Sequence, residues 1–137
     1  MWFAVTNTED PDIPFQDAID TQVKKFKKEL SSGTSALILL SILGNAEKPL
    51  YGYEISKLLE QGSSEKQGAI YPVLRNMVAK ELLEVEVLPS ESGPPRKYFS
   101  ISPLGKAVLS EWRTTWEQTK RVVEQSLSPK AGSKPNG

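Results

Sequence analysis

The chain has 137 residues, enough for one domain with a compact core, and its 17 Lys and Arg balance its 17 Asp and Glu. It has no cysteine and no histidine, which excludes disulfides, Cys/His zinc sites, thiolate nucleophiles and the commonest general base. Acids such as Glu54, Glu84 and Glu86 show no paired spacing, so no catalytic residue, metal site or cofactor is expected and the chain reads as a non-enzyme.

Residues Met1 to Pro14 carry two prolines, three acids and little apolar periodicity, and are expected to form an irregular arm. They lack the basic and apolar regions of a signal peptide. From Phe15 to Leu30, apolar residues at Phe15, Ile19, Val23, Phe26 and Leu30 keep helical spacing, with Lys24, Lys25, Lys27 and Lys28 on the remaining surface. Ser31-Ser32-Gly33 is expected to break this helix, and Thr34 to cap a second one. That second helix, Ala36 to Leu43, is apolar almost all round and belongs in a core; Gly44-Asn45 ends it. The run is far below the roughly 18 residues needed to cross a bilayer, so a soluble cytoplasmic protein that leaves membranes alone is expected.

A third helix is predicted over about Leu50 to Gln61, with Tyr51, Ile55, Leu58 and Leu59 on one face, stopped by Gly62-Ser63-Ser64. A fourth follows from Gly68 to Lys80 on the stripe Ile70, Val73, Leu74, Met77 and Val78, with Pro72 expected in its first turn. Leu83 to Leu88 alternates as a strand, Val85 and Val87 opposite Glu84 and Glu86, and Tyr98 to Ile101 is its partner. Pro89 to Pro95 reads as a turn-rich loop between them. Ser102-Pro103 is a helix start, hydroxyl cap then proline, and no breaker appears before Ser128-Pro129. The resulting 103–127 helix is roughly 37 Å long. The polar tail, 128–137, is expected to be disordered.

Helices followed by a two-stranded hairpin predict a mainly α fold: a winged helix-turn-helix over 15–102, then a long C-terminal helix. Such a motif lays its second helix in the major groove. On that helix Gln67, Tyr71 and Arg75 recur at i, i+4 and i+8 with Lys66 at the entry. Gln and Arg suit base edges, while Tyr and Lys commonly serve phosphates. The small Gly68 and Ala69 let the helix N-terminus approach an anion. Arg96 and Lys97 beside Gly93-Pro94-Pro95 would carry cations into a neighbouring groove. Each of these residues taken alone is equally well an ordinary surface residue.

The segments Leu50-Tyr51-Gly52-Tyr53-Glu54-Ile55, Gly68-Ala69-Ile70-Tyr71-Pro72-Val73-Leu74, Gly93-Pro94-Pro95-Arg96-Lys97-Tyr98-Phe99 and Ile101-Ser102-Pro103-Leu104-Gly105 stand in order at short spacing. Over about Thr34 to Leu127 the chain thereby resembles the PadR family of transcriptional regulators. The resemblance implies a winged-helix repressor that dimerises through its C-terminal helix and is often released from DNA by a small ligand. Carried over by position, Tyr53 belongs to the helix before the recognition helix, Tyr71 and Arg75 to the recognition helix, and Arg96 and Lys97 to the wing. The Met1 to Pro14 arm has no counterpart in that pattern, and the basic inventory around the recognition helix is shorter than in many relatives.

In the last helix Leu109, Trp112, Trp116, Thr119 and Val123 alternate three and four apart, the spacing of a helix–helix seam. A homodimer would cover this stripe and set two recognition helices on two half-sites of a pseudo-palindrome in double-stranded DNA. The alternative is that the stripe packs back on its own domain. Trp112 and Trp116 also admit two uses, as interface core or, by the resemblance, as stacking faces for a flat aromatic effector. The rival function for the whole chain is a winged helix that binds protein instead of DNA, which the zero net charge would suit.

Overall fold

The computed structural model describes residues 12–60 and 67–129. They form α1 (Asp12–Asn45), β1 (Leu50–Tyr51), α2 (Gly52–Glu60), α3 (Gln67–Ala79), β2 (Leu83–Ser90), β3 (Gly93–Ile101) and α4 (Pro103–Leu127). The fold is mainly helical with one small antiparallel sheet of strand order β1-β3-β2. The sheet has one strand more than the expected hairpin, because Leu50 and Tyr51 pair with Phe99 and Tyr98 before α2 begins. Helical periodicity at Tyr51 is real but short, and strand pairing with a distant segment overrides it. The chain divides into two compact units, Met1–Ser35 and Ala36–Gly137.

Within the first unit the expected break at Ser31-Ser32-Gly33 does not occur, and α1 runs through it. The Thr34 hydroxyl donates to the Leu30 carbonyl at 2.8 Å and Ser35 to Ser31 at 2.6 Å. These hydroxyls fold back on carbonyls one turn earlier instead of capping a new helix. A lone glycine costs a helix only about 1 kcal/mol, too little to stop it. The helix also takes in residues 12–14, which the arm was expected to hold, with Pro14 in its first turn where the missing N–H matters little. The rest of the arm and residues 130–137 of the tail lie outside the described residues.

The second unit has a single core. Leu39, Leu40 and Leu43 of α1, Ile55 and Leu59 of α2, Ile70, Leu74 and Met77 of α3, Leu83, Phe99 and Leu109 are buried together. The helical members are the stripes that the 3.6-residue period marks out, and Leu83 and Phe99 come from the sheet. Pro72 lies in the second turn of α3, later than expected, and is exposed. It leaves the Gly68 carbonyl without its i+4 donor. α3 ends in a Schellman motif: Leu82 N–H donates to the Met77 carbonyl and Glu81 N–H to Val78, both at 2.9 Å. Glu81 takes the left-handed conformation, φ 65°, where glycine is usual.

β2 and β3 run further than expected, into the Pro89 to Pro95 segment, and leave only Glu91-Ser92 as the turn, because Ser90 pairs with Gly93. The registers Leu88↔Arg96 and Ser90↔Gly93 differ by one, so Pro94 and Pro95 together face Pro89 across a bulge. Prolines fit here because β1 pairs only with Phe99 and Tyr98, leaving that edge of β3 open. Beyond Leu83 both faces of β2 are exposed or half-buried, so the Val85/Glu84 alternation does not translate into one buried face.

α4 begins as expected. Ser102 accepts from Gly105 N–H at 2.9 Å, and its hydroxyl donates to the Glu81 carbonyl at 2.7 Å. Ser102 N–H donates to Leu82. A Cβ on Gly105 would strike the Leu82 carbonyl, so only glycine lets α4 seat against the end of α3.

Candidate nucleic-acid interface

α2 starts where β1 ends, and the junction is fixed by Glu54, which accepts from Tyr51 N–H at 3.1 Å. This is the backward half of a capping box, reinforced by Lys48 at 3.7 Å from the same carboxylate. Tyr53, in the first turn of α2, is about half exposed and stacks on Tyr51 with ring centroids 6.3 Å apart. Lys57 lies one turn further along the same face of α2, its ammonium 5.6 Å from the Tyr53 ring. A cation and an aromatic hydroxyl are thus presented together at the surface of α2.

On α3 the core arc holds Ile70, Leu74 and Met77, while Ala69, Pro72, Arg75, Asn76 and Ala79 are exposed. At about 100° per residue those exposed positions span an arc of about 120°, with Arg75 at one border. Tyr71 sits roughly 40° beyond Arg75, toward the core. It is half-buried, and its hydroxyl lies where a Cβ on Gly52 would be. Tyr71 therefore packs across α2, with Arg75 outside it. Gln67 and Gly68 are the first residues of α3; Lys66 lies outside the described residues. Asn76 was not singled out from the sequence, yet it is an exposed amide next to Arg75. A helical wheel drawn from the core stripe would have found it.

The wing separates its two cations. Paired residues of antiparallel strands share a face and neighbours along a strand alternate. Arg96 therefore shares a face with Leu88, Tyr98, Glu86 and Tyr51, whereas Lys97 shares the other with Val87, Val85 and Phe99. Arg96 is half-buried, its guanidinium carbon 4.4 Å from the Tyr51 ring centroid. Tyr51 and Tyr98 meet edge to face at 5.4 Å. The side-chain hydrogen bond with Tyr98 raises the Arg96 pKa above its ordinary value; partial desolvation opposes this, and nearby Tyr51, Tyr98 and Glu54 add to it. Arg96 is thus held as a fixed cation at the base of the wing, beside the start of α2, and Lys97 is the exposed one.

On α4, Leu109 is buried in its own unit and Trp112 is half-buried against the same core. Trp116 is 38% exposed, and Thr119 and Val123 are exposed. Among the described residues no helix is long and apolar enough to cross a membrane, and no group of three or more His, Cys, Asp or Glu could hold a metal ion.

The sequence profile of the transcriptional regulator PadR-like family matches residues 39–111. An uncharacterised protein of Lysinibacillus sphaericus is 34% identical over 93 residues, 65% of this chain and 83% of its own length. A PadR family transcriptional regulator from Eggerthella lenta DSM 2243 superposes with TM-score 0.70 at 31% identity, covering 82% of this chain and 97% of that one. A PadR family transcription regulator from Clostridium difficile R20291 does so with TM-score 0.61 at 32% identity, covering 69% and 99%. The match runs from the buried end of α1 to α4, across every element described above as part of the second unit. The chain belongs to the PadR-like family of transcriptional regulators, and is a regulator of transcription, not an enzyme.

Proposed function

We propose that this regulator binds double-stranded DNA sequence-specifically in the cytoplasm, with α3 as recognition helix and the β2–β3 hairpin as wing. The observation that carries the reading is the exposed face of α3, where Arg75 and Asn76 are both exposed about 100° apart on a helix seated against α2 by Tyr71 and Gly52. Arg suits guanine and Asn adenine in the major groove. Tyr53, Lys66, Lys97 and the helix N-terminus at Gln67, Gly68 and Ala69 serve phosphates, and Arg96 anchors the wing beside them.

Residues 103–127 act as the dimerisation helix. Because Leu109 and Trp112 pack into their own unit, the surface offered to a second copy begins at Trp116 and continues through Thr119 and Val123. Two-fold pairing presents two α3 helices to two half-sites, and occupancy of the operator represses transcription. Trp116, partly exposed and next to Trp112 one turn away, provides the stacking face for a flat aromatic effector that releases the DNA.

Fluorescence anisotropy against the duplex upstream of the protein's own gene, with a scrambled duplex as control and two salt concentrations, tests the reading. Preferential binding that weakens with salt and is lost in Arg75→Ala and Asn76→Ala supports it. Equal binding by these variants and the parent sinks the α3 assignment. Absence of binding to every duplex, with capture of a protein partner instead, favours the protein-binding winged helix that the balanced charge would suit.

A further inference from the structure

The second unit has a small hollow on the flank of α4, among residues that the reading above gives neither to DNA nor to a second copy. It measures about 210 Å³ and is lined by Gly44 near the end of α1, Ile101 at the end of β3, and Lys106, Leu109, Ser110 and Arg113 of α4. Sites for drug-sized ligands run to about 300–1,000 Å³, so this one takes a compact molecule.

The helix gives the hollow an apolar floor and a polar rim. Lys106, Ser110 and Arg113 follow at i, i+4 and i+7, and at about 100° per residue they share an arc of about 60°. Leu109 lies about 40° beyond that arc, toward the core. It is buried and Ile101 half-buried, whereas the three polar residues are exposed. The missing side chain of Gly44 leaves the floor bare, since a Cβ there would lie 2.9 Å from the Leu109 side chain and 3.5 Å from that of Ile101.

Charge on the rim is uncompensated. Among the described residues the ion pairs are Lys48 with Glu54 and Lys120 with Glu117, so neither Lys106 nor Arg113 has a carboxylate partner. The acids of α4 do not offset them. Glu111 lies about 130° round the helix from the rim, Glu117 is held by Lys120 at 3.4 Å, and Glu124 is about three turns beyond Arg113. Glu84 sits on the other face of the sheet from Ile101. The Ser110 hydroxyl is not turned back on the helix as those of Thr114 and Thr115 are. A guanidinium, an ammonium and a hydroxyl around an apolar floor form a donor set for a tetrahedral oxyanion joined to a small apolar group.

We propose that this hollow binds a small organic phosphate, its phosphoryl oxygens taken by Lys106, Ser110 and Arg113 and its apolar part laid on Ile101 and Leu109 beside Gly44. The DNA backbone is the other source of phosphate. Ile101 ends β3 about 26 Å along the strand from Gly93 at the wing tip, which sets the hollow apart from the wing.

The test titrates the full chain at fixed ionic strength with phenyl phosphate, inorganic phosphate and phenol, read by backbone amide shifts and thermal midpoint. Phenyl phosphate should shift the Gly44, Lys106, Ser110 and Arg113 amides saturably and raise the midpoint. Inorganic phosphate and phenol, each with part of the contacts, should bind about tenfold more weakly or less, and Lys106→Gln or Arg113→Gln should weaken phenyl phosphate about tenfold. Arg121→Gln should leave its binding unchanged. Shifts that do not saturate, or equal binding by the Lys106 and Arg113 variants and the parent, would overturn the proposal. So would a duplex that shifts the same amides and loses affinity in either variant, which would hand both cations to the DNA backbone. A midpoint that falls in Arg113→Gln, with no protection of the parent by phenyl phosphate, would overturn it too and make the cations counterweights to the negative end of α1.

Discussion

Gly52 shows how one atom's absence sets the candidate site. The Tyr71 hydroxyl fills the place of its missing side chain, so α3 can lie against α2 with Arg75 turned outward. Gly52→Ala should force Tyr71 out of its position and lower stability by about 1–3 kcal/mol, measured by urea unfolding. The wing's two cations should also part company. Arg96→Ala removes a cation–π contact with Tyr51 and a hydrogen bond with Tyr98, and is expected to lower the urea-unfolding midpoint slightly. Lys97→Ala should leave the unfolding midpoint unchanged while reducing the salt slope of duplex binding by about one. Equal loss of stability in both would contradict their placement on opposite faces of β3.

At the scale of elements, the junction of α3, β2 and α4 is held by backbone groups from two sequence neighbourhoods. Glu81 and Leu82 carbonyls accept from Ser102, and Gly105 leaves room for Leu82. Glu81 adopts a left-handed conformation without being glycine. Glu81→Gly should therefore stabilise the fold by up to about 1 kcal/mol, seen as a higher thermal midpoint, since its side chain is exposed and only its backbone is used. In α1, Gly33 has open space where a Cβ would go. Gly33→Ala should raise helicity by circular dichroism and add about 1 kcal/mol to the local helix, the outcome expected of a continuous helix and not of a break between two.

For the whole molecule, the proposed assembly and the proposed DNA recognition draw on different residues. Trp116→Ser removes an exposed apolar face of α4 without touching the buried Leu109, so the monomer should remain folded while the dimer weakens, as read by sedimentation equilibrium. Unchanged assembly in that variant would assign Trp116 away from the interface. Arg75→Ala should show the opposite pattern, with assembly intact and duplex binding lost.

The stripe of α3, half of that of α2 (Ile55 and Leu59 are buried, but Leu58 is exposed and Tyr51 belongs to β1), the start and length of α4 and the motif register were legible in the amino-acid order, because amphipathic period, caps and prolines act over a few residues. Family membership was legible for the same reason: its motifs are local strings. Contacts between those strings were not. Nothing local tells that Tyr51 leaves the helix to pair with Tyr98, that Tyr71 spends its hydroxyl on Gly52, or that Pro94 and Pro95 continue a strand. Ser31-Ser32-Gly33 carries a strong local break signal, yet the helix costs little to continue and the hydroxyls bond within it. Local sequence determined which elements could form and which face of each is apolar; tertiary packing decided where marginal segments belong and which polar side chains stay exposed, since those outcomes depend on partners far away in the chain.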